Sequence, residues 1–246
     1  METVNVIIYG SKGRMGKALL EALEKEPRLK LVGEINSSES IDPVLPLADV
    51  IIDFTNVEST IPLVGKCFEA KKALVIGTTG HTKEVQLQIA AAAKEIPLVF
   101  SPNYSVGVNT LFWLTKKATE ILGPEYDSEI IEMHHRFKKD APSGTARRLA
   151  EIIAEVRHLD YEKDTYHGRF GMPGARTATE IGMHALRVGD AIGEHTVILG
   201  TLGERLELTY CASTREAYAI GALRAALWLN NQLPGLYDMQ DVLGLK

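Results

Sequence analysis

Residues 132–146 read EMHHRFKKDAPSGTA and bring together two imidazoles, His134 and His135, with the cations Arg136, Lys138 and Lys139 and a Pro-Ser-Gly-Thr turn. Histidine gives up or takes a proton near neutral pH, and a lysine beside it lowers the energy of negative charge that develops during a reaction. Pro142 cannot continue a helix from before it, and Ser143 is a good N-cap. A helix starting there leaves the N–H groups of Gly144, Thr145 and Ala146 without intrahelical partners, an arrangement that attracts carboxylate or phosphate. The chemistry these residues suit is proton donation to a small polyanion. The same residue types also fit a capped, merely solvated loop. No metal is expected, because adjacent histidines diverge and no third local ligand completes a zinc spacing.

The flanking patterns place this cluster. YDSEIIEM before it reads as a strand, and Ala146, Leu149, Ala150, Ile153 and Val156 after it recur at helical spacing. The cluster is therefore a strand-to-helix loop. A second loop of that kind opens the chain, where the apolar run Val4–Tyr9 leads into Gly10, Ser11, Lys12, Gly13, Arg14, Met15 and Gly16 and then a helix through Leu19 and Leu23. Such a turn lets backbone approach a pyrophosphate at a helix N-terminus. Its spacing is GxxGxxG, with Lys12 where the usual middle glycine would stand, so a purely structural glycine turn fits it as well. Leu29–Ile35 is the expected second strand. Glu34 and Asn36 fall at its end, at the distance where an acidic residue holds the adenosine ribose. With Asn36 there, no carboxylate repels a 2′-phosphate, and the expectation is binding of NADPH as well as NADH.

Three further strands follow at helical intervals. Ala48–Phe54 ends in Asp53, Ala73–Ile76 ends in Gly77, Thr78 and Thr79, and Leu98–Phe100 ends in Ser101, Pro102, Asn103 and Tyr104; helices are expected over Glu58–Ala70 and Lys83–Glu95. This alternation predicts an α/β protein with a doubly wound parallel sheet, whose turns after strands one, three, four and five line one cleft. A helix over Asn109–Leu122 opens a second region. There Glu180–Arg187, Thr196–Gly200 and Arg205–Cys211 read as strands of a mixed sheet, with Leu206, Leu208 and Tyr210 on one face. Between them the polar stretch 157–180, carrying His158 and His167, is too long for a plain connection and is expected to be a flap with solvated histidines. The helix Arg215–Leu229 is expected to return to the first domain. The division expected is 1–105 with 215–246 as a dinucleotide-binding domain, and 106–214 as a smaller mixed α/β substrate and oligomerisation domain.

The chain has 246 residues, 45% of them hydrophobic, with net charge −5 and pI near 5.8. That is enough for two cores and gives no general attraction to nucleic acid or anionic membrane. No apolar run spans a bilayer. Cys67 and Cys211 form no CxxC pattern and no signal-peptide core opens the chain, so a cytoplasmic setting is expected.

The motifs GSKGRMG, IIDFT, GTTG, SPNYSVGVN, EMHHRFKKDAPSGTA, LRVGDAIGEHT and the closing GLYDM run through nearly the whole chain, and with them it resembles the dihydrodipicolinate (4-hydroxy-tetrahydrodipicolinate) reductase family. The resemblance implies an N-terminal Rossmann domain, a mixed α/β domain that forms a homotetramer, and reduction of a cyclic imine dicarboxylate by NADH or NADPH in diaminopimelate and lysine synthesis. It implies His134 as general acid, Lys138 as its cationic helper, and His135 with the backbone of Gly144 and Thr145 as holders of the substrate carboxylates, assisted by Ser143 and Lys139. It assigns Gly10–Met15 to the pyrophosphate, Gly77, Thr78 and Thr79 to the nicotinamide side, and Ser101–Tyr104 to the hinge and nicotinamide ribose. Asn36 departs from the acidic residue common in the family, and Phe137 stands where some members carry a third histidine. Arg215 and Tyr218 match the family's SRxxF segment, with tyrosine for phenylalanine. Another nicotinamide-dependent amino-acid or semialdehyde dehydrogenase would share the glycine turn, and a nucleotide sensor could dispense with the acid. Acid, cation and anion cradle are all intact here, which favours catalysis.

Overall fold

A computed structural model describes residues 3–246. The elements run β1 (Val4–Tyr9), α1 (Arg14–Leu23), β2 (Leu29–Ile35), β3 (Val50–Asp53), α2 (Val57–Glu69), β4 (Ala73–Ile76), α3 (Lys83–Ala92) and β5 (Pro97–Phe100). They continue with α4 (Val106–Leu122), β6 (Asp127–His134), α5 (Gly144–Arg157), α6 (Tyr161–Asp164), β7 (Thr165–His167), β8 (Ile181–Arg187), β9 (Gly193–Thr201), β10 (Glu204–Ala212), α7 (Glu216–Leu229), β11 (Gly235–Tyr237) and α8 (Met239–Leu243). Two compact units result. One runs through Val106 and is completed by Arg215–Lys246, and the other is Gly107–Thr214.

The first unit is a parallel six-stranded sheet in the order β11-β5-β4-β3-β1-β2. Its central strands are almost wholly apolar, Asn5 in β1 and Asp53 at the end of β3 apart, because both faces are covered. In β1, Val4, Val6 and Ile8 enter one core with α1 and α7, while Ile7 and Tyr9 enter the other with α2 and α3. Each fully buried aliphatic side chain there contributes about 1.5–3 kcal/mol. Helix α7 belongs to this unit because its buried face is small: Ala219, Ala222, Ala225 and Ala226 let it lie close, and a Cβ on Gly221 would sit 1.7 Å from the Tyr104 carbonyl oxygen. Strand β11 was not anticipated. Three residues are too few to display a period, and only pairing with Pro97–Val99 makes GLY a strand.

In the second unit the sheet order is β10-β9-β6-β8-β7, parallel at β6/β8 and β8/β7 and antiparallel elsewhere. Its covered face packs Ile130, Ile181, Met183, Val197 and Leu199 against α4 and α5. Helix α4 starts at Val106 rather than Asn109, since the weak helix formers Val106–Val108 are overruled by burial of Val108. The 157–180 stretch, too long for a plain connection, has regular structure of its own. It contains α6 and β7, and Arg169 and Arg176 tie it to Glu129 on β6. His158 is the left-handed residue closing α5, and His167 stands on β7. Strand β10 lies at the sheet edge with Leu206 39% exposed, so its apolar face is only partly covered. Among the described residues no helix is long and apolar enough to cross a membrane.

Candidate active site

Strand β6 carries the expected general acid, His134. Along it Ser128, Ile130, Glu132 and His134 are buried and alternate with half-buried neighbours, so all four share the face beneath α5. That face is apolar at Ile130 and becomes ionisable where the strand reaches the start of α5. The Glu132 carboxylate, 1% exposed, takes a bidentate pair from Arg187, with Nη1 and Nη2 each 2.9 Å from an oxygen. It also accepts the Ser143 N–H at 3.2 Å. Burial alone would raise its pKa, but the hydrogen bonds from His134 and Arg187 outweigh burial and hold it at about 2. Being ionised, Glu132 accepts from His134, whose Nδ1 lies 2.5 Å from Oε2. This bond fixes the ring and leaves Nε2 as the nitrogen available to a reacting partner. A Cβ on Gly193 would lie 3.1 Å from that Nε2, so β9 carries glycine where the ring needs room.

The loop after His134 is drawn tight. Lys138 N–H donates to the His135 carbonyl at 3.0 Å, and Lys138 Nζ meets Asp140 Oδ1 at 2.9 Å, holding that carboxyl below the ordinary range. Arg187 also donates to the Asp140 carbonyl at 2.7 Å, joining β8 to the loop. His135 is half-buried, and its Nδ1 is buried with no hydrogen-bond partner. The Ser143 hydroxyl caps α5 by accepting Ala146 N–H at 3.2 Å and bonds His195 Nε2 at 3.1 Å. Ser143 is therefore a buried structural cap, and Ala146 N–H is already taken. That removes Ala146 from the expected anion cradle. A cavity of about 500 Å3 beside Glu132 is walled by Ile130, Ala141, Pro142, Ala146, His167 and His184. It has no lysine or arginine in its walls and is a poor match to a dicarboxylate.

His195, paired across the sheet with Glu132, stacks edge-on to His134 with centroids 5.2 Å apart. Burial, then the neighbouring His134, push its pKa from 6.5 down to about 4. The ring is neutral at pH 7 and adds no charge beside the acid. Because the folded values of His195 and Glu132 are both depressed, each contributes stability that is lost on acidification. The His195 share, on the order of 3 kcal/mol, is whole above pH 6.5 and falls away toward pH 4; that of Glu132 follows between 4.5 and 2. Thermal melts across this range are expected to show falling stability from pH 6.5 downward, with the 6.5–4 limb flattened in His195→Asn. An unchanged limb would exclude His195 as its source.

In the first unit a cleft of about 590 Å3 is lined by Gly13, Arg14 and Met15, by Phe54–Glu58, and by Gly77, Thr78 and Thr79. The turns after β1, β3 and β4 thus meet in it. The fourth expected turn does not line it: Ser101 and Tyr104 are buried, and the Tyr104 hydroxyl donates to the carbonyls of Ile76 at 2.7 Å and Val99 at 3.1 Å. Asn103 takes the Ser105 N–H on its side-chain oxygen at 2.8 Å, while Pro102 is exposed. Asp53 is a correction of the same kind. It is fully buried and spent on Thr55, Thr60 and Thr78, so it shapes the β3 and β4 turns from beneath.

The glycine turn fits a dinucleotide pyrophosphate. Gly10, at φ +95°, has the Phe54 carbonyl oxygen 2.5 Å from where a Cβ would be, and for Gly16 the Gly10 oxygen is 2.2 Å away. Gly13 at the N-cap of α1 contributes no capping side chain, and no acidic residue lies in the first turn. Ser11 is buried and Lys12 exposed, and the N–H groups of Gly10 and Ser11 donate to the Ile35 carbonyl, so the turn is fastened to the end of β2. Glu34 points to solvent there. Asn36 Oδ1 accepts the Lys12 N–H at 3.2 Å.

Three contributors were passed over in the sequence. Glu132 was legible, since two positions before His134 on a strand means the same face. Arg187 and His195 were not: they meet the acid through β6/β8 and β6/β9 register, and pairing partners leave no mark in a single sequence.

Comparison with known proteins agrees over the full chain. Residues 4–104 match the profile of the dihydrodipicolinate reductase N-terminus, and residues 107–243 that of its C-terminus. The chain is 51% identical over 242 residues to the 4-hydroxy-tetrahydrodipicolinate reductase of Akkermansia muciniphila, covering 98% of both. It is 45% identical to that of Hahella chejuensis, over 98% of this chain and 99% of the relative. Among solved structures it is similar in fold to a dipicolinate-bound dihydrodipicolinate reductase from Paenisporosarcina sp. TG-14, with TM-score 0.80 at 23% identity over 98% of this chain and 99% of that one. A diaminopimelate dehydrogenase from C. glutamicum shares the fold more distantly, with TM-score 0.57 at 14% identity over 97% and 93% of the two chains.

Proposed function

The chain belongs to the dihydrodipicolinate reductase family, and from that premise we propose which of its residues carry the reaction. It is an oxidoreductase of lysine and diaminopimelate biosynthesis that reduces 4-hydroxy-tetrahydrodipicolinate, a cyclic imine dicarboxylate, to tetrahydrodipicolinate with loss of water, using NADH or NADPH. Reduced nicotinamide, when bound, supplies the hydride. His134 delivers the accompanying proton from Nε2 while Glu132 holds Nδ1, and Lys138 lowers the energy of the negative charge that builds on the ring. His135 and the backbone of Gly144 and Thr145 hold the ring carboxylates, with Lys139 adding positive charge. Gly10–Met15, Gly77, Thr78 and Thr79 hold the dinucleotide, and Asp53 and Tyr104 keep their turns in shape.

The observation that carries this assignment is the buried, ionised Glu132 bonded at 2.5 Å to His134 on the strand that ends at a cationic helix start. A nucleotide sensor has no use for it. Titration with dipicolinate, a flat ring bearing two carboxylates, tests the substrate side. Wild type is expected to bind it and His135→Ala to bind at least about tenfold more weakly, as loss of a charged or polar anchor implies. Equal affinity would remove His135 from the site. The cytoplasm is the setting that fits, and a homotetramer is the assembly. The uncovered face of the second sheet, with Ile131, Met133 and Ile198 half-buried, is the surface to be shared; light scattering that gives the mass of one chain would exclude this.

A further inference from the structure

The residues beyond β2 supply a carboxylate at a position where the chain carries Asn36, Glu34 on the strand being turned to solvent. Asn36 stands where related dinucleotide folds place the acidic partner of the adenosine ribose. Residues 36–39 close a turn, the Glu39 N–H donating to the Asn36 carbonyl at 2.9 Å, and this folds the Glu39 side chain back over Asn36. Glu39 Oε2 accepts both the Asn36 backbone N–H, at 2.8 Å, and its side-chain Nδ2, at 2.9 Å. The other oxygen faces Lys12 Nζ at 3.6 Å, and Lys12 N–H is bound to Asn36 Oδ1. One connected set thus joins the glycine turn, the end of β2 and Glu39. The hydrogen bonds from Asn36, backbone first, hold the Glu39 carboxyl below its ordinary range, so it is ionised at neutral pH.

We propose that Glu39 is the residue that sets cofactor preference in this chain, biasing it toward NADH over NADPH by placing through the 36–39 turn the negative charge that Asn36 cannot provide. The inference rests on the assignment of the dinucleotide to the glycine turn. Glu39 acts in two ways on a 2′-phosphate: its charge repels one, and it occupies Lys12, a cation of the glycine turn that could pair with one. A ribose 2′-hydroxyl meets neither obstacle and can donate to the same carboxylate. Both cofactors remain usable, because the turn is exposed and the side chain can yield. The balance between them is what Glu39 determines.

Direct binding tests this without reference to turnover. NADH and NADPH are titrated separately against wild type, Glu39→Gln and Lys12→Ala, following cofactor fluorescence. Glu39→Gln keeps the shape and the bond to Asn36 but removes the charge and releases Lys12. The ratio Kd(NADPH)/Kd(NADH) is expected to exceed one in wild type and to fall at least about tenfold in Glu39→Gln. In the double variant Glu39→Gln/Lys12→Ala, part of that gain is expected to be lost. A ratio that moves by less than about twofold on Glu39→Gln, or equal weakening of both cofactors, overturns the proposal while leaving the dinucleotide assignment standing. Failure of wild type to bind either cofactor overturns the assignment itself, and the proposal with it.

Discussion

Replacing His134 with glutamine is expected to lower kcat by about a hundredfold or more while NADH binds with unchanged affinity, the loss typical of removing a general acid. Glutamine keeps a hydrogen-bonding group near Glu132 but carries no transferable proton. The lesion therefore falls on the chemical step, and it falls on kcat and kcat/KM together. Lys138→Ala acts on the same step by a different route, leaving the developing charge unneutralised, and is expected to cost a similar factor. Steady-state rates and fluorescence titration of NADH check both. A large loss of NADH affinity in either variant would place that residue on the cofactor and not on the substrate.

The second large effect is on stability. Arg187→Met removes the partner of a carboxylate that is 1% exposed and carries full charge at neutral pH. His134 and the Ser143 N–H remain, but neither replaces a bidentate guanidinium. Stranding a buried charge in this way costs roughly 3–5 kcal/mol, and chemical denaturation at pH 7 should register a loss of that order. The cost should shrink as the pH is lowered toward the Glu132 value, because a protonated carboxyl needs no counter-charge. A variant as stable as wild type at neutral pH would mean that the pair is solvated.

Much of the fold was legible because its signals are local. Strands such as VIID and ALVI are short apolar runs buried on both faces, as a parallel sheet core requires, with Asp53 the polar exception, and the amphipathic pattern around Leu149 and the alanine- and leucine-rich run around Leu223 identify α5 and α7. Long-range pairing was not legible. Strand β11, the anchoring of 157–180 by Arg169 and Arg176, and the convergence of Arg187 and His195 on Glu132 all depend on which strands lie side by side. The dinucleotide turn illustrates the same limit. Asn36 at the end of β2 is legible in the sequence, but Glu39 becomes its neighbour only through the geometry of a four-residue turn. Asp53 and Tyr104 erred in the other direction: polar residues at strand ends were assigned to the cleft, and burial assigns them to its foundations.

The most direct measurement follows NADH absorbance when purified chain meets the freshly formed aldol condensation product of pyruvate and aspartate semialdehyde. Wild type is expected to consume NADH in step with the ring supplied, and His134→Gln to do so about a hundredfold more slowly at equal bound cofactor. No NADH loss with wild type, or equal rates for the two proteins, would contradict the account.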